Sequence, residues 1–131
     1  MKDWLLVGAA LPTPAPETDR WLAELKRGGT KLAILQLIRE ADRYGYEIVG
    51  LLKERSGGVL ALAEGNVYPA LHALEQDGSV ASYWREIEPG VPPRKYYRVT
   101  REGIARHDEM VKTWSGYAKS LTGLLNGASK K

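Results

Sequence analysis

The chain has 131 residues, 44% hydrophobic and 27% charged, with a formal net charge of +3, a composition that fits one soluble globular domain. It contains no cysteine, which excludes disulfides and thiol chemistry, and with His72 and His107 as its two histidines it lacks the ligand set of a zinc site. A net charge of +3 permits a nucleic-acid partner without requiring one.

Residues 4–11 form an apolar run of eight, far shorter than the roughly 20 residues needed to cross a bilayer. Asp3 and the shortness of the run also argue against a signal peptide. Residues 1–16 therefore read as an N-terminal arm, extended by Pro12, Pro14 and Pro16. No membrane partner is expected, and the location expected is cytoplasmic.

Glu17-Thr18-Asp19 supplies a helix start. The helix it opens carries Trp21, Leu22 and Leu25, then Leu32, Ile34, Leu35, Leu37 and Ile38. Gly28-Gly29 costs about 1 kcal/mol per glycine relative to alanine, so a bend or break is expected there. Tyr44 and Tyr46 flank Gly45 at the start of a second short helix bearing Ile48, Val49, Leu51 and Leu52. Gly45 permits the tight entry to the helix, and either ring could pack inward or reach a phosphate. Ser56-Gly57-Gly58 ends this unit, and residues 59–63 read as an extended lead-in and a candidate third strand.

The following helix is bounded by Glu64-Gly65 and Gly78. Val67, Leu71 and Leu74 make one inward stripe, while Asn66, Tyr68, Pro69, His72 and Gln76 present neutral polar or small groups on the other face. Pro69 lies in the first turn, where a missing amide costs little. A short helix with a polar N-terminal half fits a DNA major groove, and this one reads as a recognition helix. Glu64, Glu75 and Asp77 make it mildly acidic, so phosphate attraction falls to Lys31, Arg39 or Arg43 and to the basic segment Arg94, Lys95, Arg98 and Arg101.

Residues 80–87 and 94–100 read as two strands joined by a loop ending in Pro92-Pro93, with Arg94 and Lys95 expected at the tip and Tyr96 and Tyr97 on opposite faces. Helix, turn, helix and β-hairpin in this order give a winged helix-turn-helix, an α+β fold that is mostly helical, over residues 17–100. Thr100 caps the last helix, with Glu102 in its first turn and Gly103 an early weak spot. Over residues 101–125 an apolar stripe of Ile104, Val111, Trp114, Ala118, Leu121 and Leu125 is flanked by Met110, Tyr117 and Leu124. Such a stripe beyond an already complete small core needs burial elsewhere. A homodimer through this helix, with Trp21, Leu22 and Leu25 packed against it, supplies that burial and suits a palindromic operator on double-stranded DNA. Residues 126–131 form a small, polar tail.

No enzyme signature emerges. Gly57-Gly58 lacks the further Gly and Lys of a phosphate loop, and no catalytic residue or cofactor is expected. His107-Asp108-Glu109 is tempting as an acid–base cluster, but consecutive helical residues diverge by about 100°, so it reads as a solvated face. The rival to DNA binding is a winged helix serving only as a protein-docking module.

Four segments resemble the PadR-like transcriptional regulators in order and spacing: Tyr44-Gly45-Tyr46-Glu47, residues 64–71, Leu74-Glu75-Gln76-Asp77-Gly78 and residues 92–100. The resemblance spans roughly residues 21–125 and implies a DNA-binding regulator, with one of Tyr44 and Tyr46 turned inward and the other toward the DNA backbone. Asn66 stands where Ser or Thr is usual in that family, His72 where a basic side chain is frequent, and Ser79 where an apolar residue is usual. The chain looks like the branch with a single C-terminal helix. There, a tryptophan matching Trp114 lines a pore between subunits and stacks planar drugs, which implies a flat aromatic effector held by Trp114 and Met110.

Overall fold

Leucine, isoleucine and valine at helical spacing decide where each element turns its face. The computed structural model describes residues 16–61 and 64–127. Residues 1–15 of the expected arm, Leu62 and Ala63, and the end of the tail lie outside the described residues. The order is α1 (Pro16–Glu40), β1 (Arg43–Tyr44), α2 (Gly45–Arg55), α3 (Glu64–Gln76), β2 (Val80–Arg85), β3 (Arg94–Val99) and α4 (Arg101–Leu125).

The core gathers Ile34, Leu35, Leu37 and Ile38 from α1, Ile48 and Leu52 from α2, and Val67, Leu71 and Leu74 from α3. Val80 and Tyr97 of the sheet complete it. All of these are buried, so the inward stripe expected of the recognition helix is the one observed. Burying each such side chain contributes about 1.5–3 kcal/mol.

Helix α1 runs unbroken through Gly28-Gly29, so of the bend or break expected there the break does not occur. Two glycines weaken a helix by only about 1 kcal/mol each. The C-terminal half of α1 is held by the core cluster, and the Thr30 hydroxyl donates to the Lys26 carbonyl at 2.6 Å across this stretch.

The third strand is also not where it was expected. The sheet order is β1-β3-β2, antiparallel, and β1 pairs Arg43 with Tyr97 and Tyr44 with Tyr96. Residues 56–60 are instead a run of turns. Gly57 and Gly58 have φ of +63° and +92°, and the Leu60 amide donates to the Ser56 hydroxyl at 2.7 Å. Local bonds thus consume the amides that a strand would offer a neighbour.

Helix α3 ends at Gly78, whose φ of +82° is left-handed. The Ser79 amide bonds the Leu74 carbonyl at 2.9 Å and the Gly78 amide the Glu75 carbonyl at 3.2 Å, the paired pattern of a glycine-terminated helix. As expected, Thr100 caps α4, its hydroxyl accepting from the Gly103 amide at 2.9 Å. The Thr100 hydroxyl also donates to the Gly78 carbonyl at 2.6 Å, tying the start of α4 to the end of α3.

Gly103 is not a weak spot but a contact. A Cβ there would collide with the Ser79 carbonyl and crowd Val99, so only glycine lets α4 approach so closely. Ser79 itself is fully buried and accepts from the Arg106 guanidinium at 2.5 Å.

Candidate nucleic-acid interface

With Val67, Leu71 and Leu74 inward, α3 turns Asn66, Tyr68, Pro69 and His72 to solvent together. The structure thus brings the four expected reading residues onto one exposed face. Tyr68 leans toward α2: an ideal Cβ on Gly45 would lie 2.5 Å from the Tyr68 ring and hydroxyl. Beyond the tight helix entry expected of it, Gly45 leaves the space that Tyr68 occupies.

The two tyrosines flanking Gly45 part company. Tyr44 caps α2 and its ring meets that of Tyr96 at a centroid distance of 5.4 Å. Tyr46 is 67% exposed and turns to solvent.

The cations divide into held and available. Arg43 is structural: it donates to the Leu37 carbonyl at 3.1 Å and pairs with Glu40 at 3.1 Å and Glu47 at 3.2 Å. Arg39 pairs with Asp108 at 3.4 Å on the α1–α4 seam. These two cations of the expected phosphate set are thereby committed to holding elements together. Lys31 stands beside α3, 3.7 Å from Asp77. Burial alone pushes the Asp77 carboxyl up, but hydrogen bonds from Ser79 and the charges of Arg106 and Lys31 outweigh it and hold the group below its ordinary range.

Arg94 and Lys95 are not at the wing tip but open β3, inward of the loop at residues 86–93. The Arg94 guanidinium lies 4.4 Å above the Tyr44 ring. The Lys95 ammonium points back to α3, 4.0 Å from Glu75, whose other oxygen accepts from the Ser82 hydroxyl at 2.5 Å. The acidic end of the recognition helix thus holds Lys31 and Lys95 beside it. Surface pairs of this kind are worth about 0–1 kcal/mol, so neither lysine is strongly held. Sequence reasoning missed these clamps because partners 46 and 20 residues apart leave no local signal.

Tyr96 and Tyr97 do face opposite sides of the sheet, as expected. Tyr97 joins the helical core, while Tyr96 lies under Tyr44 and stacks on Tyr83 at 5.8 Å. His107 departs from the solvated face expected of it. It is buried, with one ring nitrogen 2.6 Å from the Gln36 amide oxygen and the other 3.0 Å from Asp108. Asp108 and Glu109 remain exposed.

Trp21, Leu22 and Leu25 of α1 and Val111, Trp114 and Leu125 of α4 are exposed, while Ala118 and Leu121 are half-buried. Met110 packs against the core. Trp114 lines two cavities against α1. One, of about 590 Å³, includes Leu22, Leu25 and Val111; the other, of about 310 Å³, includes Gly28, Glu109, Met110 and Tyr117. Among the described residues no group of three or more His, Cys, Asp or Glu side chains is placed to hold a metal ion. No described helix is long and apolar enough to cross a membrane.

The model of the transcriptional regulator PadR-like family matches residues 34–109. An uncharacterized protein of Lysinibacillus sphaericus is 36% identical over 105 residues, covering 80% of this chain and 95% of its own. A PadR family transcriptional regulator from Eggerthella lenta has a similar structure, with a TM-score of 0.72, 31% identity, and coverage of 82% of this chain and 91% of that one. Bacillus subtilis PadR, solved in complex with operator DNA, has a TM-score of 0.56 and 27% identity, with 62% of this chain and 45% of that chain covered. The match spans the core helices, the recognition helix and the wing, and the chain belongs to the PadR-like family of transcriptional regulators.

Proposed function

We propose that this chain is a sequence-specific DNA-binding regulator that acts as a repressor. Helix α3 reads bases through Asn66 and His72. Tyr46, Tyr68, Pro69, Lys31, Arg94 and Lys95 contact or position the backbone around it. The observation that carries this reading is the exposed face of α3 that Asn66, Tyr68, Pro69 and His72 share, with Lys31 and Lys95 held at the acidic C-terminal end of the helix. Asn66 has the donor and acceptor for bidentate reading of adenine. The operator complex of Bacillus subtilis PadR supports the same use of the fold here.

The protein works as a homodimer on a palindromic operator, with half-sites about 10 bp apart or a multiple of that. The support is the exposed apolar surface that α1 and α4 share around Trp114, which a lone protomer leaves in water. A flat aromatic effector between the subunits, against Trp114 and Met110, accounts for the second cavity and its single carboxylate, Glu109. Such a regulator operates in the cytoplasm.

Selection of duplexes from a random pool, followed by affinity measurements across salt concentrations, tests the DNA reading. Expected is one enriched palindrome bound with a steep inverse dependence on salt. Binding that is absent or insensitive to salt would favour the protein-docking alternative.

A further inference from the structure

The helices cover one face of the sheet, and Tyr97 is buried there. Strand register assigns Tyr44, Tyr83, Arg85, Arg94, Tyr96 and Arg98 to the other, outer face. On it, three guanidinium groups lie over three phenol rings. Arg94 is 4.4 Å from the Tyr44 centroid, Arg85 5.1 Å from Tyr96, and Arg98 6.0 Å from Tyr83.

Arg85 and Arg94 are direct cross-strand partners. Like charges placed opposite each other destabilise a sheet. Among the described residues none of the three arginines is paired with a carboxylate. Asp42, the acid at this face, accepts instead from the Tyr83 hydroxyl at 2.6 Å. A sheet that tolerates facing arginines and neutralises none of them offers charge for a polyanion. Because the guanidinium groups already occupy the ring faces, a ligand meets N–H edges, which suit bidentate oxyanions rather than stacked bases.

The outer face is continuous with the reading surface. Tyr68 of α3 lies against Gly45, Tyr44 precedes Gly45, Arg94 covers Tyr44, and Arg85 faces Arg94. We propose that Arg85 and Arg98 extend this path as a phosphate track, gripping the DNA backbone outside the half-site read by α3, with the duplex curving toward the wing. Arg94 joins the two surfaces. This inference rests on the DNA-binding reading above. It adds residues, and a longer footprint, that the reading alone does not require.

The experiment compares parent and R85Q/R98Q on two duplexes bearing the selected site. One ends at the last base pair needed for specific binding, and the other carries about 10 bp more at each end, one helical turn. The parent should bind the long duplex more tightly. Its log affinity against log salt should steepen by about two per protomer, at roughly 0.9 per phosphate contact. R85Q/R98Q should lose more affinity for the long duplex than for the short one, so that the gain with length disappears. R98Q alone, facing only Ala81 across the sheet, should lose about half of the gain. Equal affinity of the parent for both lengths overturns the proposal while leaving the DNA-binding reading intact. Equal loss by the variant on both lengths also overturns it, by placing the arginines in the core contact or in folding. Capture of a polyglutamate peptide by the parent but not the variant, without any length effect, overturns it in favour of an acidic protein partner. If the parent binds no duplex, both readings fall together.

Discussion

Tyr68 lies over Gly45 so closely that a single added methyl on the glycine would stand 2.5 Å from its ring. The second turn of the recognition helix is thereby registered on the first residue of α2 through one side chain and one missing side chain. Gly45→Ala should be nearly neutral for folding, because alanine gains about 0.5–1 kcal/mol in a helix and the far end of Tyr68 can swing away. The displaced ring should weaken operator binding by about 1–3 kcal/mol, the size of one lost specific contact. Unchanged affinity with a normal melting curve would remove Tyr68 from the interface.

Gly103→Ala should behave in the opposite way. Its methyl meets the backbone of Ser79 rather than a flexible side chain, so α4 must move off the end of α3. Overpacking of this kind costs about 1–3 kcal/mol or more. Urea denaturation should show a lower midpoint at unchanged slope, and DNA affinity should follow only through the folded fraction.

Glu40 joins three elements, accepting hydrogen bonds from Arg55, Gln36 and Arg43. The Arg55 hydrogen bond first, then that of Gln36 and the nearby positive charges, lower its pKa from an ordinary 4.5 to about 2. A depressed carboxylate stabilises the fold fully above its unfolded value, and this contribution is lost as pH falls from about 4.5 toward about 2. Glu40→Gln should therefore be less stable than the parent at pH 7, with the gap closing in acid. A gap that is constant across that range in urea titrations would assign the role to packing instead of charge.

Trp114 is 58% exposed on a helix whose neighbouring Ala118 and Leu121 are half-buried. Leu121→Glu or Trp114→Glu should convert a dimer to monomers in sedimentation and cost the operator affinity that comes from holding two half-sites together. A parent that sediments as a monomer at micromolar concentration would end the dimer reading.

Residues close in sequence determined much of this architecture by themselves. Val67, Leu71 and Leu74 at spacings of four and three face inward because a helix returns to the same side in 3.6 residues. Gly78 stops α3 because its left-handed backbone costs glycine nothing, and Thr100 caps α4 because its hydroxyl is within reach of an amide three residues on. The polar face of α3 was legible for the same reason, since it is whatever the apolar stripe leaves over.

Tertiary structure alone decided the rest. Arg43 and Tyr44 form a strand only because β3 stands beside them, as two residues carry no periodicity of their own. Gly103 reads as a helix breaker until Ser79 is seen to need its space. Helix α1 stays whole through two glycines because distant packing outweighs a local propensity of about 1 kcal/mol each. The division of cations into Arg39 and Arg43, which hold the fold, Lys31 and Lys95, which lean on α3, and the wing arginines, which among the described residues meet rings rather than carboxylates, depends on contacts between residues far apart in the chain. Charge carries no direction in a sequence; only the folded chain decides which carboxylate each cation meets.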